Sequence, residues 1–136
     1  MRRMLWVLTA GLWAGLFIAT HLPAHNLPDV AVSDKFMHFI AYFGLASMIY
    51  ISTWITNPAR RWTGSMVLAI AVVYGIIDEV LQPFVGRHAD VKDWVYDVAG
   101  AACAVVLLVM IRRIVTARPR HEAKRAYDLS AAPAES

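Results

Sequence analysis

The sequence predicts an all-α, polytopic membrane protein: a four-transmembrane-helix bundle with both termini cytoplasmic. Three observations carry this reading. The 136 residues are 59% hydrophobic with a mean hydropathy of +0.51, too apolar for an ordinary soluble domain and sufficient for one compact unit. Four apolar stretches, residues 4–20, 36–55, 63–82 and 94–111, reach or approach the ~20 residues that a spanning helix needs. Lys and Arg divide unevenly between the two sides those stretches define. Arg2, Arg3, Arg60, Arg61, Arg112, Arg113, Arg118, Arg120, Lys124 and Arg125 fall on one side, against only Lys35, Arg87 and Lys92 on the other. Such a bias marks the cytoplasmic side of a membrane protein.

The first span follows a Met-Arg-Arg start, as a signal peptide would. Its apolar run is longer than a usual h-region, includes Trp6 and Trp13 and lacks a small-x-small cleavage site, so a retained helix is expected. The segment His21–Ser33, with Pro23 and Pro28, is expected to run extended or turned over the outer surface. Asn57-Pro58-Ala59-Arg60-Arg61 is a short turn between antiparallel helices. Pro83 and Gly86 end the third span. Residues 117–136 lack apolar periodicity and read as a disordered basic cytoplasmic tail, leaving 4–112 as the membrane domain. The net charge of +3 is modest, and the four basic residues of the tail suit anionic lipid headgroups; no nucleic-acid partner is implied. Cys103, the only cysteine, lies within the fourth span, which excludes a disulfide and a cysteine-based metal site.

Polar residues sit at only one end of three spans, and alternating topology brings those ends to one side of the bilayer. Ionisable groups inside a membrane cost about 2.5–3.5 kcal/mol each at its centre on insertion scales, so they usually face a bundle interior and serve a function there. On the second span Asp34, His38 and Tyr42 form one stripe at i, i+4 and i+8, with His38 turned inward and able to donate to Asp34 or to a neighbouring helix. Asp34 has two readings, helix cap and site member, and Lys35 can snorkel to the headgroups. On the third span Asp78 and Glu79 point about 100° apart and cannot share a partner. Glu79, on a stripe with Gly75 and Gln82, is expected to be the interior carboxylate, with Asp78 nearer the interface; the alternative for Glu79 is a structural ion pair with Arg87 or Lys35. On the fourth span Asp97 leads into Gly100, Ala101 and Ala104, a small-residue stripe that turns it toward the bundle, while Asp93 also suits the first turn of a helix capped by Asp90. Arg87 supplies a guanidinium able to fork onto a carboxylate or phosphate.

The blocks Ser33-Asp34-Lys35-Phe36-Met37-His38, Asp78-Glu79-Val80-Leu81-Gln82, Gly86-Arg87, Asp93-Trp94 and Asp97-Val98-Ala99-Gly100 fit a D-K-x-x-H, E-x-x-Q, G-R…D-x-x-x-(N/D)-x-x-G order. In that order and spacing the chain resembles the VanZ-like family of small bacterial membrane proteins, over about residues 4–112. It departs at Asp97, where Asn is commoner, which adds a negative charge. The resemblance implies cell-envelope biology in a bacterial cytoplasmic membrane, because the founding member is linked to reduced susceptibility to the glycopeptide teicoplanin. It supplies no established reaction.

Two functions follow as expectations. In one, Asp34, Lys35, His38, Asp78, Glu79, Gln82, Arg87, Asp93 and Asp97 form an outer-leaflet site that binds or modifies a lipid-linked or phosphate-bearing envelope component. Glu79 or His38 would then act as base, Asp93 or Asp97 would orient His38, and Arg87 would hold the anion. In the other, the same charges only hold the helices in register. Ser33 and Ser65 lie in no nucleophile motif. His38, Glu79, Asp93 and Asp97 offer mixed nitrogen and oxygen donors, but no H-E-x-x-H or similar register is present, so neither metal nor cofactor is expected. His21, His25 and His88 are expected in solvated outer loops, with Trp62 and Trp94 as interfacial anchors.

Overall fold

The computed structural model describes residues 2–22 and 33–130, with side chains through residue 117. Pro23, His25 and Pro28 of the first loop, and the last six residues of the tail, lie outside the described residues. The described backbone holds four α-helices and no strand: α1 (Arg2–Thr20), α2 (Asp34–Thr56), α3 (Thr63–Leu81) and α4 (Val91–Ser130). All four contain a stretch long and apolar enough to cross a membrane, in α4 the part Val91–Ala117. Beyond it, the stretch 118–130 read from sequence as tail continues α4 as helix; Arg, Glu, Ala and Lys there are good helix formers even without an apolar stripe.

Helix α2 buries His38, Tyr42, Leu45, Ala46, Ile49, Tyr50, Ser52 and Thr53, a stripe repeating every three to four residues. Helix α3 buries Thr63, Val67, Ala71, Gly75, Asp78 and Glu79 on the same period. These stripes meet Ala101, Ala104, Val105 and Leu108 of α4 in one core. The α2–α4 seam is the most extensive, because Gly100 lets α4 approach until its Cα lies against the Phe39 carbonyl. Gly75 does the same for α3 and α4: a Cβ there would sit 2.9 Å from the Trp94 ring and 3.4 Å from Asp97 Oδ2. Trp94 fills that space and donates its Nε1–H to the Val72 carbonyl at 3.3 Å. Exposed Val73, Ile76, Ile77, Val80, Val106, Leu107 and Met110 cover the outer faces, as lipid-facing positions require.

Helix α1 is peripheral. Its one buried residue, Thr9, shares a 2.8 Å hydrogen bond with Ser52 of α2. The two polarised ends of the bundle then differ. At one, Arg112 donates to the carbonyls of Arg60 and Pro58 and stacks over Trp54, closing the α2–α3 turn. At the other, the C-terminal ends of α1 and α3 meet the N-terminal ends of α2 and α4. Pro83, which has no N–H to continue the α-helical ladder, turns α3 into a 3-10 segment over Gln82–Val85. Gly86 stops that segment in a left-handed conformation (φ 74°) and delivers Arg87 back over the bundle. Asp90 then starts α4: its carboxylate accepts the Lys92 N–H at 2.9 Å and its carbonyl the Asp93 N–H.

Candidate functional site

The polar end gathers every residue that the sequence marks, in three groups. The deepest joins three helices. His38 of α2 lies 2.9 Å through Nδ1 from Asp97 Oδ1 of α4, with the two side chains 4% and 0% exposed. Glu79 of α3 completes the group: His38, Glu79 and Asp97 are all buried, and each offers a donor atom within 4.8 Å of the others. Asp97 Oδ2 takes no hydrogen-bond partner among the described residues. Glu79 accepts from the Gln82 amide at 3.3 Å and from the Asp90 N–H at 2.8 Å. The alternative of an ion pair between Glu79 and Arg87 or Lys35 is not what forms: α3 turns Glu79 toward the start of α4, where the Gln82 amide and the Asp90 N–H meet it.

The second group holds the cations. Lys35 lies 3.3 Å from both Asp90 and Asp93, clamping α2 to the start of α4 rather than snorkelling alone. Lys92 and this lysine, with the Lys92 N–H foremost, hold the Asp90 carboxyl below the usual range. Arg87 sits 3.5 Å from Asp34 and donates to the Thr20 carbonyl at 3.1 Å, tying the α3–α4 loop to α1 and α2. Asp34, 57% exposed at its side chain, is thus a rim residue; Ser33 precedes α2 without a side-chain cap, and His38 turns to Asp97 rather than to Asp34. Asp34, His38 and Asp93 also form a set of potential metal donors within the same 4.8 Å, with Asp34 exposed.

The third group overturns the expectation that Asp78 lies nearer the interface. Asp78 is 1% exposed, more buried than Glu79 at 8%. The 100° between them aims Asp78 at the last turn of α1, where the Thr20 hydroxyl donates to it at 2.8 Å and His21 approaches to 3.6 Å. His21 is accordingly packed, 12% exposed at its side chain, and not solvated as expected; His88 is exposed. Thr20 was missed because a threonine at a helix end carries no signal of its own. The hydroxyls of Tyr42 and Tyr74, with Asp78 Oδ2, are likewise buried without partners among the described residues.

Between α1, α2 and α3 these groups border a pocket of about 290 Å³. Leu16, Ala19, Met37, Ala41 and the two tyrosines form its apolar wall; Asp34, His38, Thr20 and Arg87 form its polar part. A VanZ/LLP1 family model matches residues 5–112, which contain all three groups and the pocket. The chain belongs to the VanZ/LLP1 family. This VanZ-like chain is a membrane protein with the helices for four crossings. No curated protein and no solved structure matches it.

Proposed function

We propose that this VanZ-like protein works in the bacterial cell envelope, spanning the cytoplasmic membrane with both termini inside, and that its polar end binds an anionic, lipid-linked or phosphate-bearing envelope component at the outer leaflet. The observation that carries this reading is the pocket, in which an apolar wall runs to Arg87 and His38. An amphiphile fits such a lining: its chain against Leu16, Met37 and Ala41, its anionic group at the guanidinium, which forks onto phosphate as lysine does not. Arg2, Arg3, Arg60, Arg61, Arg112 and Arg113 at the opposite end support the outward orientation of the pocket. Reduced teicoplanin access to the cell wall is the phenotype this binding would produce.

One observation favours the structural alternative. Both lysine and arginine of the cluster already have carboxylate partners, Asp90 and Asp93 for Lys35 and Asp34 for Arg87. A variant that fills the pocket without touching these pairs separates the two readings. Ala41→Trp is expected to insert normally and to lose co-purifying envelope lipid, measured by mass spectrometry of the detergent-solubilised protein, together with any effect on labelled-teicoplanin binding to a Gram-positive host. Wild-type lipid retention and phenotype in Ala41→Trp would reject the pocket as the binding site.

A further inference from the structure

The charges of the deep group do not balance. Lys35 and Arg87 are spent on Asp90, Asp93 and Asp34, so Glu79 and Asp97 meet only the Gln82 amide, the Asp90 N–H and the His38 imidazole, which even when protonated balances one of the two carboxylates. Two buried carboxylates that share one imidazole are costly in a membrane protein, and Asp97 Oδ2, on a fully buried residue, has no hydrogen-bond partner among the described residues. We propose that His38, Glu79 and Asp97 bind a divalent transition-metal ion, Mn²⁺ or Zn²⁺. A 2+ ion neutralises the two carboxylates and gives Asp97 Oδ2 a partner.

The donor geometry fits. One nitrogen and two carboxylate oxygens from three different helices lie within 4.8 Å of one another, a spread that small side-chain rotations close onto an ion with bonds of about 2.0–2.2 Å. The 2.9 Å between His38 Nδ1 and Asp97 Oδ1 suits a hydrogen bond, and it also suits two neighbouring donors on an octahedral ion with bonds of about 2.1 Å. The mixed set decides the class of ion. Imidazole disfavours Ca²⁺ and Mg²⁺, the carboxylates disfavour Cu⁺, and Mn²⁺ and Zn²⁺ accept both. Gln82 and the Asp90 N–H, both on Glu79, are the outer hydrogen bonds that orient a ligating carboxylate. His38 also lines the pocket, so an ion held on it lies beside the residues that surround the proposed ligand. The metal site itself stands without that ligand.

The test uses the untagged full chain purified in detergent without chelator. Elemental analysis is expected to find about one Mn²⁺ or Zn²⁺ per chain, and adding either ion to chelator-treated protein should raise its Tm. Glu79→Gln and Asp97→Asn, which keep size and hydrogen-bonding ability, should each weaken Mn²⁺ binding by more than about tenfold. Asp78→Asn, a buried carboxylate aimed at α1 instead, should bind as wild type does. For variants that fail to fold, wild-type protein loaded with Mn²⁺ and labelled with ¹⁵N-histidine gives a second readout, an electron spin echo signal from ligating histidine nitrogen. Wild-type protein that neither retains nor responds to either ion, Mn²⁺ binding as tight as wild type in Glu79→Gln and Asp97→Asn, or an absent histidine coupling would each overturn the site and leave shared protons to balance the charge.

Discussion

Helices α1 and α4 both carry small residues at the spacing that lets membrane helices pack closely: Gly11, Ala14 and Gly15 in one, Gly100, Ala101 and Ala104 in the other. In α4 this stripe is buried, and Gly100 rests on the Phe39 carbonyl of α2. In α1 all three are exposed, and a Cβ at Gly11 or Gly15 would meet nothing within 4 Å. The difference lies in what accompanies the small residues. Along α4, Asp97, Gly100, Ala101, Ala104, Val105 and Leu108 continue one inward stripe for three turns and anchor it with a buried hydrogen bond to His38. Along α1, large apolar residues such as Met4, Val7, Leu8, Leu12 and Ile18 are exposed, and only Thr9 is buried. A small-residue stripe therefore makes close approach available; a continuous inward face makes it happen.

The strongest way to break this comparison is to add one methyl group to each helix. Gly100→Ala should destabilise the protein by about 3 kcal/mol, the upper end of overpacking costs, because the new Cβ meets backbone rather than a movable side chain. Gly15→Ala should stay within about 0.5 kcal/mol. Thermal unfolding in detergent reads both, and equal losses would mean that α1 packs against something absent from the single chain. A smaller effect sharpens the picture of α1 as loosely held. Thr9→Val removes the hydroxyl shared with Ser52 and should cost about 0.6 kcal/mol in the same assay; a loss several times larger would make that contact the anchor of α1.

The smallest effect concerns the link from α4 to Lys35. Asp90 has its carboxyl held low, so its contribution is present above the ordinary carboxylate range and is lost as pH falls through the lowered value. Asp90→Asn keeps the cap on Lys92 and loses only the charge facing Lys35. The wild type should unfold at a slightly higher temperature than Asp90→Asn between about pH 5 and pH 8, with the gap closing below about pH 4. A gap that persists at low pH would assign the effect to packing instead of charge.

Much of the membrane protein is legible in the chain itself. Span length, the repeat of buried positions along α2 and α3, the break at Pro83 and Gly86, and the cap at Asp90 are local properties set by residue type and a 3.6-residue period. The same period shows that Asp78 and Glu79 diverge and that Asp97 shares a face with Gly100 and Ala101. Alternation of four spans brings the charged ends together without any knowledge of packing. Which charge meets which was decided only in three dimensions. His38 turned to Asp97 instead of Asp34, Lys35 to Asp90 and Asp93 instead of Glu79, and Arg87 to Asp34. Asp78 became the more buried neighbour because the end of α1 covers it with Thr20 and His21. Helical periodicity fixes the angle between residues on one helix, but the rotation of each helix about its axis, and so the partner each side chain meets, is set by how closely its neighbours pack. That rotation is what assembled His38, Glu79 and Asp97 from three helices into one buried group.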